Sequence, residues 1–113
     1  MGVTVQRLSD DVCVAPQLGP EAMAEAARAG FRSIVNNRPD FEGGPAQPTS
    51  ASIEAAAKAA GLEYVWLPVS PAYQSPEEIA RCAELLQSLP KPILAFCRSG
   101  TRSGKLFRAA SGE

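Results

Sequence analysis

Short apolar strands alternate with helices along this chain. This alternation restricts the possible folds more than any other feature of the sequence. Segments 32–36, 63–67 and 93–96 have the composition of buried strands, and each follows a stretch with the apolar spacing of a helix. Two further strands, 3–7 and 12–15, precede the first helix. This pattern is typical of a mainly parallel sheet covered on both faces. We therefore predict an α/β fold with three αβα layers and a central sheet of about five strands, in one domain that takes up the whole chain.

Three loops follow the carboxyl ends of the predicted parallel strands, at residues 36–48, 68–75 and 97–103. In an open sheet of this kind, a ligand binds beyond the carboxyl ends of the strands. The first loop is long for such a connection, which favours a functional role over a simple link. The sequence thus predicts a site where the three loops meet.

The absence of histidine restricts the chemistry of any such site. It excludes Ser-His-Asp and Cys-His catalysis as well as zinc sites built from cysteine and histidine. The three cysteines are far apart in the sequence and form no CxxC pair, so we expect neither a disulfide framework nor a metal. Cys13 and Cys82 are interpreted as core thiols. No cofactor is expected.

Charge is distributed unevenly along a chain whose net charge is −1. Residues 91–113 contain five basic side chains and one acidic side chain, which favours a small anionic ligand near residues 97–108. Without an overall basic surplus, we expect no nucleic-acid partner. No apolar stretch approaches the ~20 residues of a membrane span, and no signal peptide is evident. We therefore expect a cytoplasmic protein with no membrane partner.

The third loop has the composition of an anion-binding turn, because Cys97 ends a strand and Gly100 precedes a helix predicted to begin at Arg102 or Ser103. Backbone N–H groups of such a turn point inward at the positive end of the helix dipole and bind anions. Gly100 permits the left-handed backbone that the turn needs. We call this turn, residues 97–103, the nest. We expect Cys97 at its bottom, with a lowered thiol pKa and the role of nucleophile.

The other side chains of the loop complete the predicted site. The planar fork of Arg102 matches two oxygens of a tetrahedral anion, and Ser103 is a candidate hydrogen-bond donor to the sulfur. The predicted substrate-binding residues of the loop are Arg98, Ser99, Gly100, Thr101 and Ser103. In an alternative interpretation, these residues have no functional role: Cys97 is a buried thiol at the end of a strand, and Arg98 and Arg102 are surface charges.

Three segments resemble the DUF442 family, a phosphatase-like domain that also occurs joined to persulfide dioxygenases of the metallo-β-lactamase fold. They are VNNRPDFE at 35–42, GLEYVWLPV at 61–69 and CRSGTRS at 97–103. The resemblance covers nearly the whole chain and implies the cysteine-phosphatase α/β fold, with a persulfide dioxygenase as a partner. Family members have been regarded both as protein-phosphatase-like and as rhodanese-like sulfur transferases, so the resemblance leaves the reaction open.

Two features favour sulfur transfer. Only four residues separate Cys97 from Arg102, as in rhodanese-like loops, whereas cysteine phosphatases carry His-Cys, five residues and Arg. Residues 64–76 contain no carboxylate that could protonate an alkoxide or phenoxide, and sulfur transfer needs no such acid. The primary hypothesis is a rhodanese-like sulfurtransferase that moves sulfur from thiosulfate or a glutathione-type persulfide, through a Cys97 persulfide, to a thiol acceptor.

The alternative hypothesis is a phosphatase of the protein-tyrosine or dual-specificity type, with a phosphocysteine at Cys97 and Arg102 as the clamp. Arg38 and Asp40 follow a predicted parallel strand, so we expect Arg38 to bind substrate and Asp40 to be the catalytic acid or to orient an arginine. A third hypothesis is a catalytically silent anion-binding module. The short last helix predicts exposed apolar surface, and with it a homo-oligomer or fusion to a second domain.

Overall fold

A five-stranded sheet lies at the centre of the structure, a computed structural model that describes residues 4–112. The strands are β1 (Gln6–Arg7), β2 (Val12–Ala15), β3 (Ser33–Asn36), β4 (Glu63–Trp66) and β5 (Ile93–Phe96). The helices are α1 (Met23–Arg28), α2 (Ser50–Ala59), α3 (Pro76–Ser88) and α4 (Thr101–Ala110), and a 3₁₀ turn at Pro20–Ala22 leads into α1. Residue 3 of the predicted first strand lies outside the described residues.

The strand order β1-β2-β5-β3-β4 places β5 in the middle of the sheet. Strands β2, β5, β3 and β4 are parallel, and β1 pairs with β2 in the antiparallel direction. Both β3 and β5 are buried along their whole length, which explains why neither strand alternates apolar with polar residues. Asn36 and Phe96 are paired at the carboxyl ends of these two strands, so the loops that follow them start side by side.

Two apolar clusters, one on each face of the sheet, confirm the predicted αβα layers. Met23 of α1 and Ile53 of α2 belong to one cluster, and Cys82 of α3 and Phe107 of α4 belong to the other. All four side chains are at most 2% exposed, and burial of each large apolar side chain stabilises the fold by about 1.5 to 3 kcal/mol. Within residues 4–112, no helix has the length and apolar character to cross a membrane.

Two helix starts differ from the sequence prediction. In the sequence, Ser50 and Ser52 are the residues that predict the N-cap of helix α2. The structure has Thr49 there instead, and the Thr49 hydroxyl accepts a hydrogen bond from the Ser52 N–H at 3.2 Å. Helix α4 begins at Thr101, one or two residues earlier than predicted. It begins there because Gly100, in the left-handed conformation with φ 93°, turns the chain directly into the helix.

Candidate active site

A cavity of about 990 Å³ opens at the carboxyl ends of β3 and β5. Its walls come from the three loops that the sequence singled out, with one residue added from α3 and one from α4. The lining residues are Arg38, Glu42 and Gly43, residues 71–74, Ile79, residues 97–99, Thr101, Arg102 and Lys105. The position agrees with the rule that open parallel sheets bind ligands beyond the carboxyl ends of their strands.

Cys97 lies at the bottom of this cavity, immediately after β5, and is 1% exposed. Its Sγ accepts a hydrogen bond from the Gly100 N–H at 3.1 Å. Burial of Cys97 raises the pKa of the thiol, but hydrogen bonds from the Ser103 N–H and hydroxyl, and then from the Gly100 and Ser99 N–H groups, outweigh it and hold the pKa below 9.0. The nest therefore favours the thiolate, which is the nucleophilic form.

The other two cysteines have no such donors within residues 4–112. Cys82 is buried in the core, and desolvation raises the pKa of its thiol to about 12. Burial also raises the pKa of Cys13, against a smaller opposing effect of Arg7. All three thiols are free, and only Cys97 lines the cavity in the described part of the chain. Cys13 and Cys82 therefore have the packing role that the sequence predicted.

Ser103 links the sulfur to the neighbouring strand. Its hydroxyl lies 2.7 Å from Oδ1 of Asn37, and the Asn37 amide is oriented by donating from Nδ2 to the Leu67 carbonyl at 3.0 Å. Both Ser103 and Asn37 are fully buried. A hydroxyl carries one proton, so Ser103 donates either to Asn37 or to the Cys97 sulfur at a given moment.

Arg102 is held in place by Glu42. Arg102 Nη1 and Nη2 donate to the two carboxylate oxygens of Glu42 at 3.0 and 2.9 Å, and Nη1 also donates to the Val69 carbonyl at 3.0 Å. The two side chains are 9% and 21% exposed, so this is a largely buried bidentate ion pair. A guanidinium fixed at three points keeps its plane in one orientation.

These contacts leave one edge of the Arg102 guanidinium free. The group has five N–H donors, and Glu42 and Val69 take three of them. The remaining two are the Nε–H and the second Nη2 hydrogen, which lie side by side and form a fork for two oxygens. Nε is buried and has no hydrogen-bond partner among the described residues. Arg102 thus retains a donor pair that matches a tetrahedral oxyanion.

Arg38 shares the same carboxylate. Its Nε donates to Oε1 of Glu42 at 2.9 Å and its Nη1 to Oε1 of Gln17 at 3.0 Å, and the residue is 8% exposed. The hydrogen bond from Arg102, supported by that from Arg38, keeps the pKa of Glu42 below 4.5 although burial opposes this. Glu42 is therefore ionised and orients two guanidinium groups at the cavity.

Comparison with known proteins places this geometry in a family. The model of the beta-lactamase hydrolase-like protein, phosphatase-like domain, matches residues 4–112. The chain belongs to this family. Beta-lactamase hydrolase-like proteins of Agrobacterium fabrum and Xylella fastidiosa are 32% identical over 101 and 100 residues, or 89% and 88% of this chain. The chain spans 23% of the length of either relative.

Solved structures agree with the family assignment. A candidate phosphatase from Neisseria meningitidis is 31% identical, with a TM-score of 0.84 over 95% of this chain and 78% of that one. A DUF442 candidate phosphatase from Shewanella putrefaciens has a TM-score of 0.82 at 19% identity, over 97% and 72% of the two chains. The Pseudomonas aeruginosa protein TpbA, solved with phosphotyrosine, has a TM-score of 0.66 at 17% identity, over 90% and 58%. The cysteine-phosphatase-like fold expected from the resemblance is confirmed.

The structure does not bring Asp40 into the cavity. Oδ1 of Asp40 accepts a hydrogen bond from the Ser50 N–H at 2.8 Å, at the first residue of α2, and Asp40 is absent from the described residues that line the cavity. A carboxylate at a helix N-terminus satisfies an otherwise unpaired N–H group and interacts favourably with the helix dipole. The structure therefore does not support Asp40 as a catalytic acid. The prediction that Asp40 orients an arginine is also wrong, because Glu42 bonds to both arginines.

The remaining predicted site residues lie in or around the nest. Arg38, Arg98, Ser99 and Thr101 line the cavity, whereas Gly100 and Ser103 are buried beneath it. Sequence reasoning missed four residues that position the site, and these are Gln17, Asn37, Glu42 and Gln74. Gln74 supports Arg102 by donating from Nε2 to its backbone carbonyl at 3.0 Å.

Proposed function

We propose that this family member is a cysteine-dependent phosphatase that acts on small anionic phosphate compounds or phosphoproteins. One observation carries the proposal: Arg102, with its free donor pair, lines the same cavity as the Cys97 sulfur, which accepts a hydrogen bond from the Gly100 N–H. A thiolate and a guanidinium fork around one tetrahedral group are the parts that phosphoryl transfer through a phosphocysteine requires.

The reaction has two steps. The Cys97 thiolate attacks phosphorus, forming an S–P bond as the P–O bond to the leaving group breaks. Arg102 binds two non-bridging oxygens, and the N–H groups of the nest stabilise the charge that develops on the phosphoryl group. Water then attacks the phosphocysteine, which releases inorganic phosphate and restores the thiolate, and the hydrogen bonds to the sulfur make Cys97 a better leaving group.

The experiment compares the wild type with Cys97→Ser and Arg102→Lys on p-nitrophenyl phosphate. We expect Cys97→Ser to abolish turnover, because a serine hydroxyl is not ionised in this nest. Arg102→Lys keeps the charge but loses the fork, so a loss of about 100-fold or more is expected. A phosphoryl adduct on Cys97, detected by mass spectrometry after acid quench, supports the mechanism. Background turnover by the wild type would contradict it.

Sulfur transfer is the second candidate, and the shortness of the loop favours it. Helix α4 begins only four residues after Cys97, so the nest is one residue smaller than a Cys-x5-Arg loop would be. A smaller cradle suits a single sulfur atom on Cys97, and a sulfite or thiolate leaving group needs no acid. Incubation with thiosulfate or glutathione persulfide tests this: a sulfur adduct on Cys97, transferred to cyanide or a thiol, supports it, and an unmodified Cys97 excludes it.

Association with a persulfide dioxygenase remains a prediction of the family resemblance. This association would matter for the sulfur-transfer candidate, since a persulfide dioxygenase and Cys97 would then both act on persulfide sulfur. Cytoplasmic location and self-association likewise remain predictions.

A further inference from the structure

Among the described residues, the cavity has no carboxylic acid free to protonate a leaving group. Glu42 is the one carboxylate among the described residues that line it, and its bonds to Arg102 and Arg38 keep it ionised. Arginine does not release its proton in proteins. The loop 68–75, which supplies part of the wall, contains no acidic residue, and its Tyr73 is 65% exposed at the rim. A leaving group that is already stable as an anion, and so needs no proton from a carboxylic acid, therefore suits this cavity.

The same cavity carries two cations that no described residue neutralises. Arg38 and Arg102 share the Glu42 carboxylate, whereas Arg98 and Lys105 are exposed and form no ion pair within residues 4–112. A cavity of about 990 Å³ is also far larger than a single phosphoryl group and falls in the range of sites for whole small molecules. Unpaired cations in a concave site attract anions. The charge beside the nest thus favours a second anionic group on the substrate.

We infer that the preferred substrate is a phosphoanhydride, in which the leaving group is itself a phosphate bound by Arg98 and Lys105. This inference rests on the phosphatase function proposed above. A phosphate monoester has a second pKa of about 6, whereas the pKa of a tyrosine phenol is about 10 and that of an aliphatic alcohol, like that of water, is higher still. Only the phosphate leaves readily as an anion at neutral pH. One substrate class thus accounts for both the missing acid and the two free cations.

The transfer balances without a proton donor. The Cys97 thiolate attacks the terminal phosphorus, the S–P bond forms, and the bridging P–O bond breaks with its electron pair remaining on the departing phosphate. That product leaves as a dianion next to Arg98 and Lys105. Water then attacks the phosphocysteine, the S–P bond breaks, both water protons end on the released dihydrogen phosphate, and the thiolate is restored.

The test measures phosphate release from four compounds in the presence of a metal chelator: inorganic pyrophosphate, ADP, phenyl phosphate and glycerol 3-phosphate. A positioned acid contributes about 100- to 10,000-fold, so kcat/KM for the better anhydride is expected to exceed that for glycerol 3-phosphate at least 100-fold. It is also expected to exceed that for phenyl phosphate. Comparable rates on alkyl and anhydride substrates, or turnover of phenyl phosphate alone, would overturn the inference while leaving the phosphatase function standing. No release from any compound, with no phosphocysteine, would overturn the phosphatase function itself.

A pair of matched variants tests the two cations. The double substitution Arg98→Ala/Lys105→Ala should lower the ratio of kcat/KM for the anhydride to that for phenyl phosphate about 5-fold or more, because only the anhydride presents a second phosphate. Arg81→Ala/Lys91→Ala removes the same charge from exposed positions outside the cavity lining, and the ratio is expected to stay unchanged. A ratio that falls equally in both variants, or in neither, contradicts the assigned role of Arg98 and Lys105.

Discussion

Replacing Glu42 with glutamine tests whether the orientation of Arg102 governs catalysis. The wild-type carboxylate accepts two bonds from Arg102 and one from Arg38, all between 2.9 and 3.0 Å. Breaking a largely buried charge pair costs about 2 to 5 kcal/mol, and glutamine retains one acceptor, so we take the lower part of this range. If the transition state loses about 2 to 3 kcal/mol of stabilisation, kcat/KM decreases by about 30- to 150-fold.

Two readouts separate this effect from a disturbed nucleophile. Glu42 forms no hydrogen bond to the Cys97 sulfur, so the pH midpoint of iodoacetamide alkylation should stay at its wild-type value while kcat/KM falls. Glu54→Gln is the matched control, since Glu54 pairs with Lys58 in an exposed ion pair on α2, and little change in kcat/KM is expected. A loss below about 3-fold in Glu42→Gln, or an alkylation midpoint that moves together with the rate, would refute the reasoning.

The pKa of Glu42 also makes a stability prediction. The carboxyl has a lower pKa in the folded protein than its ordinary 4.5, so its contribution to the free energy of unfolding is complete above pH 4.5 and is lost as the pH falls through the folded value. Three further predictions concern the nest and its surroundings. Asp40→Asn should keep kcat/KM within about 2-fold, and a large loss of rate in this variant would instead identify Asp40 as the acid. Asp40→Ala should lower the free energy of unfolding, measured in urea, by about 1 kcal/mol, because it removes the hydrogen bond to the first residue of α2. Ser103→Ala should raise the pKa of Cys97 and shift the alkylation profile to higher pH; an unshifted profile would show that the Ser103 hydroxyl does not act on the sulfur. Gly100→Ala should cost about 1 to 2 kcal/mol in the free energy of unfolding, because φ is 93° there, and an unchanged urea midpoint would contradict the strained geometry.

Much of the fold could be predicted because its local signals agree with one another. The fully buried strands β3 and β5 consist mostly of apolar residues, and each is preceded by a helix, so the parallel sheet with helices on both faces follows from the pattern alone. The nest was also predictable, since a cysteine, a glycine and a helix start stand within four residues of one another. The predicted helix starts were less accurate. Thr49 and Ser50 are both good N-cap residues, and the path of the preceding loop determines which of them caps α2.

The partners of the arginines could not be predicted, for a physical reason. Asp40 and Glu42 are both acidic residues in the loop after β3, and the sequence does not show which carboxylate turns toward the cavity. Phe41, between them, adopts φ 63°, an uncommon conformation for a bulky residue, and the chain reverses there. Asp40 then faces α2 and Glu42 faces the arginines. The geometry of one residue thus decides which carboxylate serves the site.

The unpaired Nε of Arg102 ties the stability of the protein to its solution conditions. A buried donor without a partner costs about 1 to 3 kcal/mol, and an oxyanion that accepts from it removes that cost. If the proposed site binds phosphate or sulfate, either anion is expected by mass action to raise the melting temperature in proportion to the logarithm of its concentration, once the site is saturated. The choice of buffer salt is therefore expected to affect the stability of this protein and, through competition at the proposed site, the turnover predicted for it.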